Sequence, residues 1–231
     1  MAMLVLSMSC GAASGMTIIQ DGDRLFMSGP IGLDDYIKYR EATKGKDIRT
    51  VILVRSPGGN VRTSLAIADD LIDRKVTTIA AGNCNSACTY LFLAGMKRQF
   101  SAKYPIVRTW LGFHGTYAYA NQGGTGTGGV LQDVSAYYSR RLGDAYSRDS
   151  IAYLALGKLT QSPSGMALVF HPQFRTDIAW CPDGYGPKVV ACEKLPGRDA
   201  MSEKLITTLE LSDIDIPEQL MTPPATEPMM K

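Results

Sequence analysis

The chain has 231 residues, 45% of them hydrophobic and 20% charged, with a formal net charge of +2. That composition supports one full core and excludes general disorder. Acids and bases are interspersed, with no basic stripe and no interleaving of aromatic and basic residues, which argues against a nucleic-acid partner.

In chain order, Met1 to Met8 is apolar and Ser9 to Gly15 is built of small residues. This has the form of the later part of a secretory signal, without its positive leader; the alternative is an ordinary first strand. Cys10 fits a lipoprotein site poorly. Met16 to Gln20 and Arg24 to Ser28 read as strands joined by Asp21-Gly22-Asp23. Leu33 to Ala42 has helical spacing, with Asp34 and Asp35 in its first turn. Thr50 to Arg55 is apolar throughout its centre and predicts a strand covered on both faces, hence in a parallel sheet. Ser56 to Asn60 is a turn. Val61, Leu65, Ala68 and Ile72 then fall on one helical face, and Thr77 to Ala81 is the next buried strand. No apolar run reaches the roughly 18–20 residues of a membrane-spanning helix.

Residues 82 to 96 combine a small-residue turn with an uncharged apolar segment, which predicts a buried helix opening at Ser86. A serine at a helix start is either a cap or a nucleophile beside free N–H donors. Gln99 to Ser101 and Trp110 to Phe113 are further strand candidates, with His114 next. Tyr117 to Gly129, rich in Gly and Thr, reads as a mobile loop or lid; it lacks the Lys-Ser/Thr of a phosphate loop. Leu131 to Leu156 predicts two helices meeting near Gly143. Residues 170 to 195 read as irregular, and the chain from about Ile214 as a solvated tail. Alternating strands and helices give an α/β core.

Of five cysteines, Cys181 and Cys192 flank Pro-Asp-Gly-Tyr-Gly-Pro. They are either the ends of a disulfide-closed loop, implying an oxidising compartment, or two unrelated buried thiols. Cys84 and Cys88 flank Ser86 and are either a local disulfide or small buried apolar residues. No paired spacing supports a metal site.

Three pieces stand in order: Ser-Pro-Gly-Gly-Asn-Val (56–61) after a strand, Asn-Ser-Ala-Cys (85–88) opening a helix, and Gly-Phe-His-Gly (112–115) ending a strand. In this the chain resembles the Clp protease proteolytic subunit and its relatives in the ClpP/crotonase superfamily, most of all periplasmic ClpP-like proteins with a Cys-x-Ser-Ala-Cys segment. The resemblance covers roughly residues 16 to 170. It implies a spiral of ββα units with a parallel sheet and covering helices. It implies Ser86 as nucleophile, His114 as general base, and the Gly59 and Ala87 N–H groups as oxyanion hole. It implies a peptide or protein substrate, a homo-oligomer, and no cofactor or metal. The family's triad acid is missing: residues 160 to 166 hold no carboxylate, and Ser164 stands where the periplasmic relatives carry Asp. Ser164, Asp149 and Asp177 are the candidates for the third member.

The expected organisation is a signal-like segment (1–15), a ClpP-like domain (16–200) with a cysteine-flanked loop (181–192), and a C-terminal tail (201–231). The expected activity is peptide-bond cleavage by acyl transfer, in the periplasm or outside the cell. The alternatives are a weak or inactive scaffold on this fold, and an acyl-CoA enzyme of the crotonase type.

Overall fold

The computed structural model describes residues 15–114, 127–157, 165–182 and 192–221. The signal-like reading of the first residues, most of the Tyr117–Gly129 loop and Ser164 therefore lie outside the described residues.

Strands β1 (Thr17–Asp21) and β2 (Arg24–Ser28) form the predicted hairpin. β2 runs parallel to β3 (Thr50–Ser56), and β3 parallel to β4 (Thr77–Asn85). β4 then forks. Its first half, Thr77 to Ala80, pairs with β5 (Lys97–Ser101); its second half, Asn83 to Asn85, pairs with β6 (Trp110–Phe113). β7 (Met166–Phe170), β8 (Asp177–Cys181) and β9 (Glu193–Asp199) follow β6 antiparallel. The two-residue β10 (Leu211–Ser212) closes the other branch beside β5. The sequence ended the fourth strand at Ala81. The polar residues after it continue as strand because β6 takes up their hydrogen bonds.

The helices are α1 (Asp35–Thr43), α2 (Val61–Asp73), α3 (Cys88–Leu93), α4 (Thr127–Leu142), α5 (Ile151–Gly157) and α6 (Glu218–Met221). Alternation along the central strands feeds two cores. Leu25, Met27, Val51 and Leu53 face the main cluster with Ile67, Leu71, Leu91 and Phe100. Phe26, Ile52, Val54 and Ile79 face a smaller cluster on the other side. Both faces are thus covered, which is why Thr50–Ser56 is apolar without alternation.

Three expectations are corrected. α2 buries Val61, Thr63, Ser64, Ile67, Ala68 and Leu71, while Leu65 and Ile72 are half-buried. The helix is turned because Thr63 and Ser64 have inward acceptors: Thr63 Oγ1 donates to Leu33 O at 3.2 Å and Ser64 Oγ to Ala87 O at 2.5 Å. Residues 170–195 contain the paired strands β8 and β9 rather than irregular chain. The chain from Ile214 to Met221, read as a solvated tail, packs on the domain, as does the segment just before it. Leu205 and Ile206 join the main core. Leu220 joins the second, with Ile214, Ile216 and Met221 against it, and Arg55 Nη2 donates to Leu220 O at 2.9 Å.

Leu220→Ala should therefore lower stability by about 2–3 kcal/mol in denaturant unfolding, as for a buried leucine. A side chain on a solvated tail would cost under about 0.5 kcal/mol.

Candidate functional site

The end of β4 turns sharply at Ser86, whose φ of +55° is left-handed for a residue with a side chain. Each neighbour of that turn fixes it. The Ser86 N–H donates to Gly112 O at 2.8 Å, joining it to β6. The Ser86 carbonyl accepts from Thr89 N (2.9 Å) and Thr89 Oγ1 (2.7 Å). Asn85 Oδ1 accepts from the Trp110 indole at 3.0 Å. Cys84 and Cys88, both fully buried, form a disulfide across the turn. α3 starts two residues later than expected, with Ala87 at its cap position, so Ser86 is not the cap. The turn delays the helix because its left-handed residue cannot belong to it.

Gly58 and Gly59 lie against this turn. A Cβ on Gly58 would come within 2.5 Å of Asn85 O, 2.7 Å of Ser86 Cβ and 2.9 Å of Ala87 N. Gly59 forms a parallel bridge with Ile31, made by Ile31 N–H to Gly58 O and Asn60 N–H to Ile31 O, both 2.8 Å. In such a bridge the central residue's own N–H and C=O point away from the partner. The Gly59 N–H is therefore aimed to the side opposite Ile31, where β4 neighbours β3. A Cβ on Gly59 would strike Ile31 O, so both glycines are required by close approach. Asn60 caps α2 by accepting from Thr63 N at 2.9 Å.

His114 follows β6 directly and is half-buried. Asn85 pairs with Gly112, so Ser86 and His114 leave the ends of adjacent parallel strands, about 4.8 Å apart across the sheet. Among the described hydrogen bonds none joins the Ser86 hydroxyl to the His114 ring. Gly112 has no room for a side chain because Asn85 Oδ1 occupies that space, with Met166 Sδ 2.5 Å from where a Cβ would sit.

The other histidine, His171, is fully buried and structural. Its Nδ1 accepts from Gln173 N at 3.2 Å, leaving Nε2 to donate to Ser101 O at 3.3 Å. Burial holds its pKa below the usual value, against the raising effect of the Ser101 contact.

Of the candidates for the third member, Asp177 is placed away from His114. Asp177 stands in the sheet row of Phe170 and Trp110, whereas Cys181 and Met166 share the row nearest His114. The two rows are four residues apart, about 13 Å. Asp177 is instead engaged by Arg175, at 2.7 and 2.6 Å, and that hydrogen-bonded pairing holds its pKa below the usual carboxylate value. Asp149 is exposed in the turn before α5, and the Ile151 N–H that opens this helix donates to Glu203 Oε2 at 2.7 Å. Glu203 N–H donates in turn to Asp199 O, and Asp199 pairs with Asp177. Ser164, two residues before Met166 in the chain, lies outside the described residues.

A second disulfide joins Cys181 at the end of β8 to Cys192 before β9. Among the described residues no group of three His, Cys, Asp or Glu could hold a metal ion. Sequence reasoning missed Asn85, Ser64 and Ile31, which hold the serine and glycine turns. Their signal lies only in contacts distant along the chain.

Residues 39–118 match the family model described as Clp protease. No curated protein matches the chain. Among solved structures, a point mutant of ClpP1 from Listeria monocytogenes is similar at 11% identity, covering 87% of this chain and 95% of that one, with a TM-score of 0.48. A point mutant of the 1510-N membrane-bound stomatin-specific protease is similar at 15% identity, covering 58% of this chain and 68% of that one, with a TM-score of 0.41.

Gly58→Ala should cost about 1–3 kcal/mol from its left-handed backbone alone, with more from the Asn85 and Ser86 contacts, and should displace the serine turn. Gly22→Ala, at φ +59° with nothing within 4 Å, should cost only about 1–2 kcal/mol. Thermal unfolding of the two variants checks the difference.

Proposed function

We propose that this chain is a serine peptidase of the ClpP/crotonase superfamily, a reading supported by the match of residues 39–118 to the Clp protease family model. Ser86 attacks the scissile carbonyl. His114 takes the hydroxyl proton as general base and returns it to the leaving amine as general acid. The Gly59 and Ala87 N–H groups hold the oxyanion. Water then hydrolyses the acyl-enzyme, with the same histidine as base.

The single observation that carries this reading is the packing of the Gly58–Gly59 turn against the strained Ser86 turn. It favours one point onto which a nucleophile and two N–H donors converge. A left-handed serine is costly and persists where surrounding structure over-determines it. The proposed substrates are peptides or unfolded segments of proteins, and a homo-oligomer is part of the proposal. Among the described residues no helix is long and apolar enough to cross a membrane. The two disulfides are compatible with an oxidising compartment, and we place the protein in the periplasm or outside the cell.

A catalytically weak scaffold is the second reading. It is favoured by the position of Asp177 far along the sheet from His114 and by the exposure of Asp149, with Ser164 the proposed group to orient His114. A serine hydroxyl accepts a hydrogen bond from the ring but supplies no charge to stabilise imidazolium.

A fluorophosphonate probe should label Ser86, and Ser86→Ala should abolish labelling with the fold intact by circular dichroism. Label on another serine, or none where a control hydrolase is labelled, would favour the scaffold. Ser164→Asp should raise peptide turnover. The ceiling is about 10⁴-fold, the loss seen when a serine-protease triad Asp becomes Asn. Unchanged turnover in that variant would remove Ser164 from the site.

A further inference from the structure

The Asp35 carboxylate is fully buried at the start of α1, yet it serves little of its own helix. Its Oδ2 accepts from Met16 N at 2.7 Å and from Gly32 N at 2.6 Å, and its Oδ1 accepts from Lys38 Nζ at 2.7 Å. Burial pushes its pKa up, but the bonds from Lys38, Gly32 and Met16 outweigh this and hold the group below the usual carboxylate value. Met16 is itself buried, and β1 begins at the next residue. Gly15 is pressed onto the same carboxylate: a Cβ there would lie 2.6 Å from Asp35 Oδ1 and 2.7 Å from Lys38 Nζ.

A buried carboxylate that accepts from the Met16 nitrogen as well as from Gly32 N and Lys38 Nζ, at the junction of a small-residue segment with the first strand, fits a chain terminus at Met16 better than a mid-chain amide. An ammonium offers three donors and a full charge where the amide offers one donor and none. The residues before Met16 read Ala-Ala-Ser-Gly, with small side chains one and three places ahead of the Gly15–Met16 bond. Small residues at those places are the form of an export cleavage site.

We propose that the Gly15–Met16 bond is a processing site and that Asp35 is the receptor for the new N-terminus. Water adds across the amide, leaving a carboxylate on the released Gly15 and an ammonium on Met16. That ammonium stays in place and ion-pairs with Asp35, while Lys38, whose side chain is 44% exposed, can move into solvent. Lys38 is the charged side chain facing this carboxylate among its described contacts. The inference is independent of the serine site.

The test expresses the full chain in an exporting bacterial host and determines the N-terminus of the folded product by mass spectrometry. The expected start is Met-Thr-Ile-Ile-Gln. An intact chain, or any other start, overturns the proposal. Reaction of the α-amine with an acetylating reagent near pH 7.5 is then timed in wild type, Asp35→Asn and Lys38→Met. A carboxylate at this distance raises an amine pKa by about 1–3 units. Wild type should therefore react at least about fivefold more slowly than Asp35→Asn, because near pH 7.5 a one-unit rise from an ordinary α-amine pKa lowers the free amine by about that factor. Lys38→Met should react no faster than wild type. Should Asp35→Asn fail to fold, the wild-type amine is compared with its own urea-unfolded form. Equal rates in either comparison overturn the receptor role.

Discussion

The fork in β4 is the constraint on which the rest depends. One strand pairs with β3 along its length, but gives its first half to β5 and its second to β6. The branch falls at Gly82, with φ of +100° and Arg55 Cγ 2.7 Å from where a Cβ would sit. A side chain there would force the strands apart, and Thr109 Oγ1 accepts the Gly82 N–H at 3.3 Å to hold the split. The β6 branch therefore begins level with the last residues of β4. Ser86 and His114 leave the ends of neighbouring strands because the strand that carries one has been released from β5 in time to pair with the strand that carries the other.

The same geometry explains how a left-handed serine is retained. Such a backbone costs about 1–2 kcal/mol for a residue with a Cβ, and a helix would relax it. Relaxation is opposed from three sides. The Cys84–Cys88 bridge ties the strand end to the first helical residue. Ser64 on α2 holds Ala87 O. The Gly112 carbonyl holds the Ser86 N–H. None of these partners belongs to the turn itself, so the conformation is a property of the assembled sheet and helices.

How much of this was legible follows from where each signal resides. β3 announces itself because its apolar residues are contiguous in sequence, and α2 because its apolar residues recur at helical spacing. The serine, glycine and histidine turns announce themselves because close backbone approach demands small residues in fixed order. The rotation of α2 was hidden, since Thr63 and Ser64 face inward for the sake of polar partners that hydropathy does not register. β9 was hidden because Pro196 and Gly197 sit within it. As an edge strand it can carry them. The packed segment 205–221 was hidden because a few side chains, Leu205, Ile206 and Leu220, anchor it by position and not by density. The place of Asp177 was hidden for a different reason: spacing along the chain says nothing about which end of a sheet a residue occupies, and antiparallel pairing carries Asp177 to the end away from His114.

The far end of α3 completes the argument. This helix has only six residues, too short to be stable by itself, and its last carbonyls would be buried unpaired. Two guanidinium groups meet them instead. Arg141 from α4 donates to Leu93 O at 2.7 Å and Gly95 O at 2.9 Å, and Arg98 from β5 donates to Gly95 O at 2.9 Å. Burial, with the neighbouring Arg141 charge adding to it, lowers the Arg98 pKa to about 10. Arg98 thus remains charged at neutral pH, and a helix C-terminus favours cations. Bringing two like charges together inside the protein is tolerable because five carbonyl contacts on Leu93, Gly95, Lys204 and Leu205 absorb them. Both branches of the fold, β5 and the α4 segment that follows β6, are thereby fastened to one end of α3. The other end is left to present the serine turn.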